Sequence, residues 1–459
     1  MVFAKQQFFK HSFKAIGLIM LLALSSSVFA LAQLAGSKSA YQYDNLQMLT
    51  PAPKGYSAFY IDHVGRHGSR YISKAKYEDI AYSVLILAEK NNQLTPAGKA
   101  LITQVAAIKQ LNNKHYGELT DLGRNDIALI SKRMLANNPT VFKGQKIEVL
   151  SSTSSRAKQT AQIFMQAFQD LYPDIEIATQ PEEQQFLLRF FNYAPAYDEY
   201  KKSGLVKQAL TSLEHDPKTI EISRTVGKKI FTDAFLSQLN EGISINDKSP
   251  IKTEDFVIAL FQLYQELLAL PSQVLVDNQL DFDDYFSVDD NAWLNTVVTA
   301  KNYLQIGPAW DANGIQIKIA APLLWDMLTS ADKAIENGHI DANLRFAHAE
   351  TVSPLATLLE IEGAATVAAS IFDYPNVWRA DKIVPMGANI QWIFYRSEQA
   401  NQPILVKVLL NEREVHLPIS TVNYPYYRWD EVKQFYTDKL NKLGLMQNQN
   451  MMKMLQNLQ

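Results

Sequence analysis

The sequence predicts an α/β protein: a mainly parallel central sheet flanked by helices, interrupted by an inserted, mainly helical cap. Three observations predict it. Short apolar runs at Ser57–Ile61 and Ile147–Leu150 are each followed by a polar turn and then helical spacing of apolar residues, the unit from which parallel sheets are built. The stretch from about Gln180 to Trp325 carries helical patterns with few strand-like segments. A strand pattern then returns at Leu344–Ala347, with a helix expected over Ser353–Ile361.

The elements follow in chain order. Lys5, Lys10 and Lys14 give a positive start, and no acid occurs before Asp44. Ala15–Leu24 is apolar except for Gly17, Ser25–Ser27 breaks the run, and Val28-Phe29-Ala30 fits a small-x-small cleavage site, with Ala30-Leu31-Ala32 a close alternative. That apolar run is short for a bilayer span, so residues 1–30 read as a cleaved secretory signal. The competing reading is a retained anchor helix. Cleavage places the chain across the inner membrane, in the periplasm or the medium, without a stable membrane anchor.

The first strand, Ser57–Ile61, ends at a polar, glycine-containing turn from Asp62 to Arg70. Pro96–Leu111 and Asp121–Ala136 show helical spacing, and Ile147–Leu150 leads through Ser151–Ser155 into a helix that runs to Phe168. Phe256–Leu270 and Asp289–Tyr303 are the clearest helices of the middle region. Ile390–Tyr395 and Ile404–Leu410 resemble two sheet strands joined by a polar loop. The expected organisation is a discontinuous core over 31–175 and 330–440, a helical cap over 176–329, and a polar tail over 441–459 that frays.

Composition narrows the chemistry. Of 459 residues, 47% are hydrophobic and 20% charged, which excludes disorder, collagen and coiled coil. No cysteine is present, so disulfide scaffolds, thiol nucleophiles, cysteine zinc sites and iron–sulfur clusters are excluded. Without residues 1–30 the chain has 41 basic and 47 acidic residues, net −6, which does not suit a nucleic-acid binder. A local basic pocket remains open.

Two of the eight histidines lie in segments of unusual composition. In Arg66-His67-Gly68-Ser69-Arg70, neighbouring positive charge disfavours the imidazolium and keeps the ring nucleophilic. Two guanidiniums beside it form a forked receptor for a tetrahedral dianion, and Gly68 permits a close turn. The combination suits nitrogen attack on a phosphoryl group, and the competing reading is a solvated basic turn. The spacing of His63 and His67 invites a metal pair, but Gly65 and Gly68 interrupt any helix and no H-E-x-x-H glutamate is present. His63 reads as a structural or rim histidine, and neither metal nor cofactor is expected.

The second segment is Phe346-Ala347-His348-Ala349-Glu350-Thr351. Residues two apart in extended chain point to the same side, which puts His348 beside Glu350. His348 would donate to a phosphoryl oxygen, and Glu350 would protonate a leaving alkoxide. A core histidine next to a surface glutamate is the bland alternative. A third segment, Ser151–Arg156, sets hydroxyls, backbone amides and a guanidinium at a helix start, which favours anions or merely caps the helix.

In this order, these segments resemble the histidine phosphatase superfamily, in its histidine acid phosphatase and phytase branch. Arg66–Arg70 fits the first five positions of R-H-G-x-R-x-P, and Ile72 replaces the proline. The H-A-E form at His348–Glu350 is most similar to the multiple inositol polyphosphate phosphatases, as are Gly65 and Tyr71 flanking the first motif. Gly117–Arg124, the Arg156 segment, Leu188–Phe191 and Leu409-Leu410-Asn411-Glu412 also match.

The resemblance implies a phosphoglycerate-mutase-like core and a secreted phosphomonoesterase acting on inositol polyphosphates such as phytate. His67 would attack phosphorus and form a phosphohistidine, with Glu350 as acid and then base. Arg66, Arg70, Arg156 and His348 would hold the phosphoryl oxygens. Lys74 and Arg189 would contact other parts of the substrate, with no metal required. The partner is then a small phosphomonoester. Three alternatives stay open: a broad acid or sugar-phosphate phosphatase, a silent relative that only binds phosphorylated ligands, and a phosphoglycerate mutase. The secretory signal disfavours the last. Related secreted phosphatases commonly carry disulfides, and this chain has none.

Overall fold

The computed structural model describes residues 35–43, 48–143, 146–245, 249–447 and 450–458. The expected signal segment lies outside the described residues.

An eight-stranded sheet forms the centre. Its strands are β1 (Tyr56–Arg66), β2 (Lys146–Ser151), β3 (Glu176–Thr179), β4 (Ile340–Ala347), β5 (Asn389–Ser397), β6 (Leu405–Leu410), β7 (Arg413–Glu414) and β8 (Tyr426–Arg428). The order is β3-β2-β4-β1-β5-β6-β7, with β8 also pairing with β6. Strands β3, β2, β4 and β1 run parallel, and β5 to β8 add an antiparallel flank. The short link between β5 and β6 permits only antiparallel pairing, because a parallel neighbour needs a long crossover. Strand β1 continues to Arg66, past the turn expected at Asp62, because His63 and Val64 are buried and suit a strand covered on both faces.

The helices that position the site are α1 (Lys76–Lys90), α2 (Pro96–Asn112), α3 (Asp121–Asn137), α4 (Ser155–Leu171), α5 (Pro217–Ile230), α6 (Asp233–Glu241), α7 (Thr253–Leu267), α8 (Val288–Ile306), α9 (Ala321–Asn337), α10 (Ala349–Leu358), α11 (Trp429–Lys442) and α12 (Met451–Asn457). Helices α3 and α4 lie on the sheet, burying Ile127, Ile130, Phe164 and Phe168 against Ile61, Val149 and Leu344.

The helical layer differs from a single insertion beginning at residue 176. Val84 and Leu85 of α1 and Leu101 and Val105 of α2 share one apolar centre with Val226 of α5, Leu239 of α6 and Leu260 of α7. The apolar stripes of α1 and α2 therefore face other helices, although their sequence lies in the stretch expected as core. Conversely, Tyr303 and Leu304 of α8 and Leu324 and Leu328 of α9 pack with Tyr60, Val64 and Trp392 of the sheet.

The C-terminal tail does not fray as expected. In α12, Leu455 is 0% exposed, and Met451, Met454 and Leu458 pack with it against the main core. Those four positions follow i, i+3, i+4, i+7, one face of a helix, within a polar composition.

Candidate active site

Parallel pairing sets the reactive residues side by side. Arg66 at the end of β1 is in register with Ala347 at the end of β4, and Ser151 of β2 with Phe346. The next residues, His67, His348 and Ser152, therefore leave the sheet together at the carboxyl ends of three strands, where ligands bind in open α/β sheets. The His67 and His348 rings stand edge to face, with centroids 5.7 Å apart. The His67 amide donates to Ala347 O at 3.1 Å.

The turn after β1 is held by backbone on backbone. Thr120 caps α3, accepting from the Gly123 amide at 3.2 Å, while its own amide donates to Ser69 O at 3.0 Å. A Cβ on Gly123 would lie 2.1 Å from Ser69 O and 2.5 Å from Ser69 N. The Thr120–Gly123 segment is thus the floor of the turn that carries His67. Gly123→Ala is expected to cost about 1–3 kcal/mol of stability. It should also lower kcat/KM about 10²-fold, because it displaces the turn by roughly an ångström. Thermal unfolding and esterase kinetics check this against Gly204→Ala, where a Cβ meets nothing within 4 Å. Equal behaviour of the two variants would contradict the packing account.

Hydrogen bonding fixes the chemical form of His67. Its Nδ1 lies 2.9 Å from the Gly68 carbonyl, which can only accept, so Nδ1 carries the proton and Nε2 keeps its lone pair. Burial, then Arg66, Arg70, Arg156 and His348, hold its pKa well below the usual histidine value. His348 is lowered to about 4, by burial foremost and by Arg156, Arg189 and Arg66, against the opposing pull of Glu350. Its Nε2 is 2.7 Å from Ser152 Oγ, and its Nδ1 lies 3.5 Å from Arg156 Nη2.

Arg66, Arg70 and Arg156 converge on His67. Burial, and then Arg70, lower the Arg66 guanidinium to about 9. Arg66 Nη1 donates to the carbonyls of Ser37 and Val384, the latter at 2.6 Å. The Nε of each of the three arginines is buried and has no protein hydrogen-bond partner. Buried donors of this kind are rare unless a ligand takes them, and three in one place mark an anion site.

Glu350 reaches the cluster by a different route from the one expected. The chain is extended only as far as His348, and α10 starts at Ala349, so Glu350 sits in the first helical turn. Its side chain is exposed. The surrounding protein pushes its carboxyl up, but His348, its own backbone amide, Arg66 and Arg156 outweigh this and bring it below the ordinary carboxylate value.

Arg189 lies at the edge of the cluster, half-buried, with Nη1 3.3 Å from Thr153 Oγ1 and its guanidinium 6.0 Å from the Phe191 ring centroid. Lys74 is exposed, and no contact places it among the arginines. His63 is a core residue, between the rings of Phe164 and Phe346 at 5.3 and 5.4 Å; burial first, then Arg345, lower it to about 3.

Several supporting groups were not singled out from sequence. Thr160 Oγ1 accepts from the Gly68 amide at 3.3 Å. Arg345, buried on β4, ties β4 to β1 through Asp62, with Asp326 on its other side at 2.6 Å. The Asn411-Glu412 match proves structural. Glu412 accepts two hydrogen bonds from Arg133 of α3, and Asn411 Nδ2 donates to Lys382 O at 2.7 Å, bracing the loop that carries Val384.

The sequence profile of the histidine phosphatase superfamily (branch 2) matches residues 61–411. The multiple inositol polyphosphate phosphatase of Bifidobacterium longum, solved with inositol hexasulfate, superposes with a TM-score of 0.79 at 23% identity, covering 89% of this chain and 98% of that one. Its phosphate complex gives 0.76 at 22% identity, over 89% and 98%. The phytase from D. castellii gives 0.67 at 15% identity, over 90% of this chain and 85% of that one. These likenesses establish the fold. No curated protein matches the chain.

Proposed function

The chain belongs to the histidine phosphatase superfamily, branch 2, and on that premise we propose that it hydrolyses inositol polyphosphates through a phosphohistidine on His67. The observation that carries this reading is the set of three buried, unpartnered Nε donors around a histidine whose Nε2 is free. Arg66, Arg70 and Arg156 bind the phosphoryl dianion and set its phosphorus against His67 Nε2. The N–P bond forms as the P–O bond to the leaving group breaks, and Glu350 delivers its proton to that oxygen. The positive charge that appears on the ring is stabilised by the Nδ1–H bond to Gly68 O. Water, deprotonated by Glu350, then cleaves the N–P bond, releases phosphate and restores neutral His67.

Inositol polyphosphates are favoured as the substrate class because Arg189 adds a fourth guanidinium beyond the three that one phosphoryl group engages. The H-A-E motif and the inositol hexasulfate complex of the structurally similar Bifidobacterium enzyme support the same class. Comparing phytate with glucose 1-phosphate and p-nitrophenyl phosphate tests it. The expected kcat/KM for phytate is about tenfold or more above that of either simple ester, as remote phosphates add transition-state binding. Turnover of phytate no better than theirs would replace this substrate class with a broad phosphatase.

A further inference from the structure

Residues Gly36–Lys38 form a 3₁₀ turn ahead of β1, and this turn is built into the active site. The Ser37 carbonyl is one of the two acceptors that hold Arg66 Nη1; the Val384 carbonyl is the other. Ser39 O accepts from the Met386 amide at 2.9 Å, and the Gly387 amide donates to His67 O at 2.9 Å. The turn and the 384–387 loop thus brace Arg66 and His67 together. Three guanidiniums gathered round one histidine repel one another, so Arg66 needs fixed acceptors to stay in place.

The other side of the turn faces the helices. Lys38 Nζ lies 3.0 Å from Glu266 Oε1 and also bonds Gln262, both on α7, and its side chain is mostly buried. Ser37 Oγ donates to Asn302 Oδ1 of α8 at 3.4 Å. Gly36 has φ +52°, and a Cβ there would lie 2.2 Å from Thr299 Cγ2 of α8. The expected cleavage sites at Ala30 and Ala32 precede this turn and would leave it in the mature chain.

We propose that Gly36–Ser39 is a strap that positions Arg66 for phosphate, and that Lys38 fastens this strap to helix α7. The phosphate cradle is then complete only when strap, helical layer and sheet are docked together. Ser37 acts through its backbone and Lys38 through the strap, so both are positioning residues. The inference rests on the phosphatase function proposed above.

The test reads the inhibition constant of inorganic phosphate against p-nitrophenyl phosphate, with kcat, KM and thermal midpoint, in the full chain. Gly36→Ala is expected to raise the phosphate inhibition constant about tenfold or more. Thr299→Ser, which deletes the clashing Cγ2 and keeps the hydroxyl, should restore part of it in the double variant, the positive φ at residue 36 accounting for the remainder. Lys38→Met should raise KM and the inhibition constant at least about threefold while kcat changes less, and Lys38→Arg should recover both.

If Gly36→Ala does not fold, the Lys38 pair decides. Inhibition constants within about twofold of wild type in the folded variants, with or without a lower thermal midpoint, would overturn the strap. An inactive wild type that also fails to bind phosphate would overturn the phosphatase reading and the strap with it. An active wild type with unaffected variants overturns the strap alone.

Discussion

Replacing His67 by alanine is expected to lower turnover of phosphate monoesters by about 10⁴-fold or more, because it removes the proposed nucleophile. The imidazole is neutral, its Nδ1 proton is committed to Gly68 O, and its Nε2 lone pair is unclaimed. The arginines remain in the variant, so inorganic phosphate should still bind within about tenfold of wild type. That separates a lost nucleophile from a collapsed site. Labelled phosphate from substrate should be trapped on wild-type protein by an alkaline quench, lost in acid, and absent from His67→Ala, since phosphohistidine is acid-labile and alkali-stable. A variant that keeps more than about a hundredth of wild-type turnover would exclude nucleophilic catalysis at His67. Wild-type turnover with no alkali-stable adduct would point to direct attack by water.

The parts of this site legible in sequence are those whose chemistry sits in short contiguous segments. Arg66–Arg70 and His348–Glu350 each also fit a solvated turn or a core histidine, and they stand out as members of an ordered set that resembles a known family. Parallel pairing of β1 with β4 then brings the two segments together. The groups that hold Arg66 carry no such mark. Ser37 and Val384 contribute carbonyl oxygens, and any residue supplies one. Lys74 is a substrate contact only by what the resemblance implies, and its side chain is exposed.

Element boundaries failed where one residue's usual preference was overruled by packing. The sequence pattern suggests a helix over Ser353–Ile361, and Pro354 suits a helix's first turn. The helix instead starts at Ala349 with Pro354 in its interior, every residue from Thr351 to Leu358 being buried against the sheet and α9. That earlier start brings Glu350 to a helix amino end. The sorting of α1 and α2 into the helical layer was equally hidden. An apolar stripe records that a face is buried and not which partner buries it. In α12 the polar composition concealed a complete apolar face, because composition averages over the period that matters.

The second large effect is expected at Glu350, and its size depends on the leaving group. Glu350→Gln keeps the shape and removes the transferable proton, so first-turnover cleavage of alkyl phosphates should fall by about 10²- to 10⁴-fold. Release of p-nitrophenol in the first turnover should fall by less than about tenfold, since that leaving group departs without a proton. In the unliganded site the Arg66 and Arg156 guanidiniums help keep Glu350 ionised. A bound dianion offsets the two guanidiniums and raises the carboxyl toward the form that can donate. Lower pH increases that form, so first-turnover rates on alkyl esters should rise as pH falls from about 7 to about 5. His67 does not counteract the rise, because burial and the arginines keep it neutral well below the usual histidine value. In Glu350→Gln the rise should vanish for alkyl esters, and rapid-quench measurements across that range read it directly. An acid-side rise that survives the substitution would assign the proton to another donor, and a uniform loss on both ester types would make Glu350 a positioning group for His348 and the arginines.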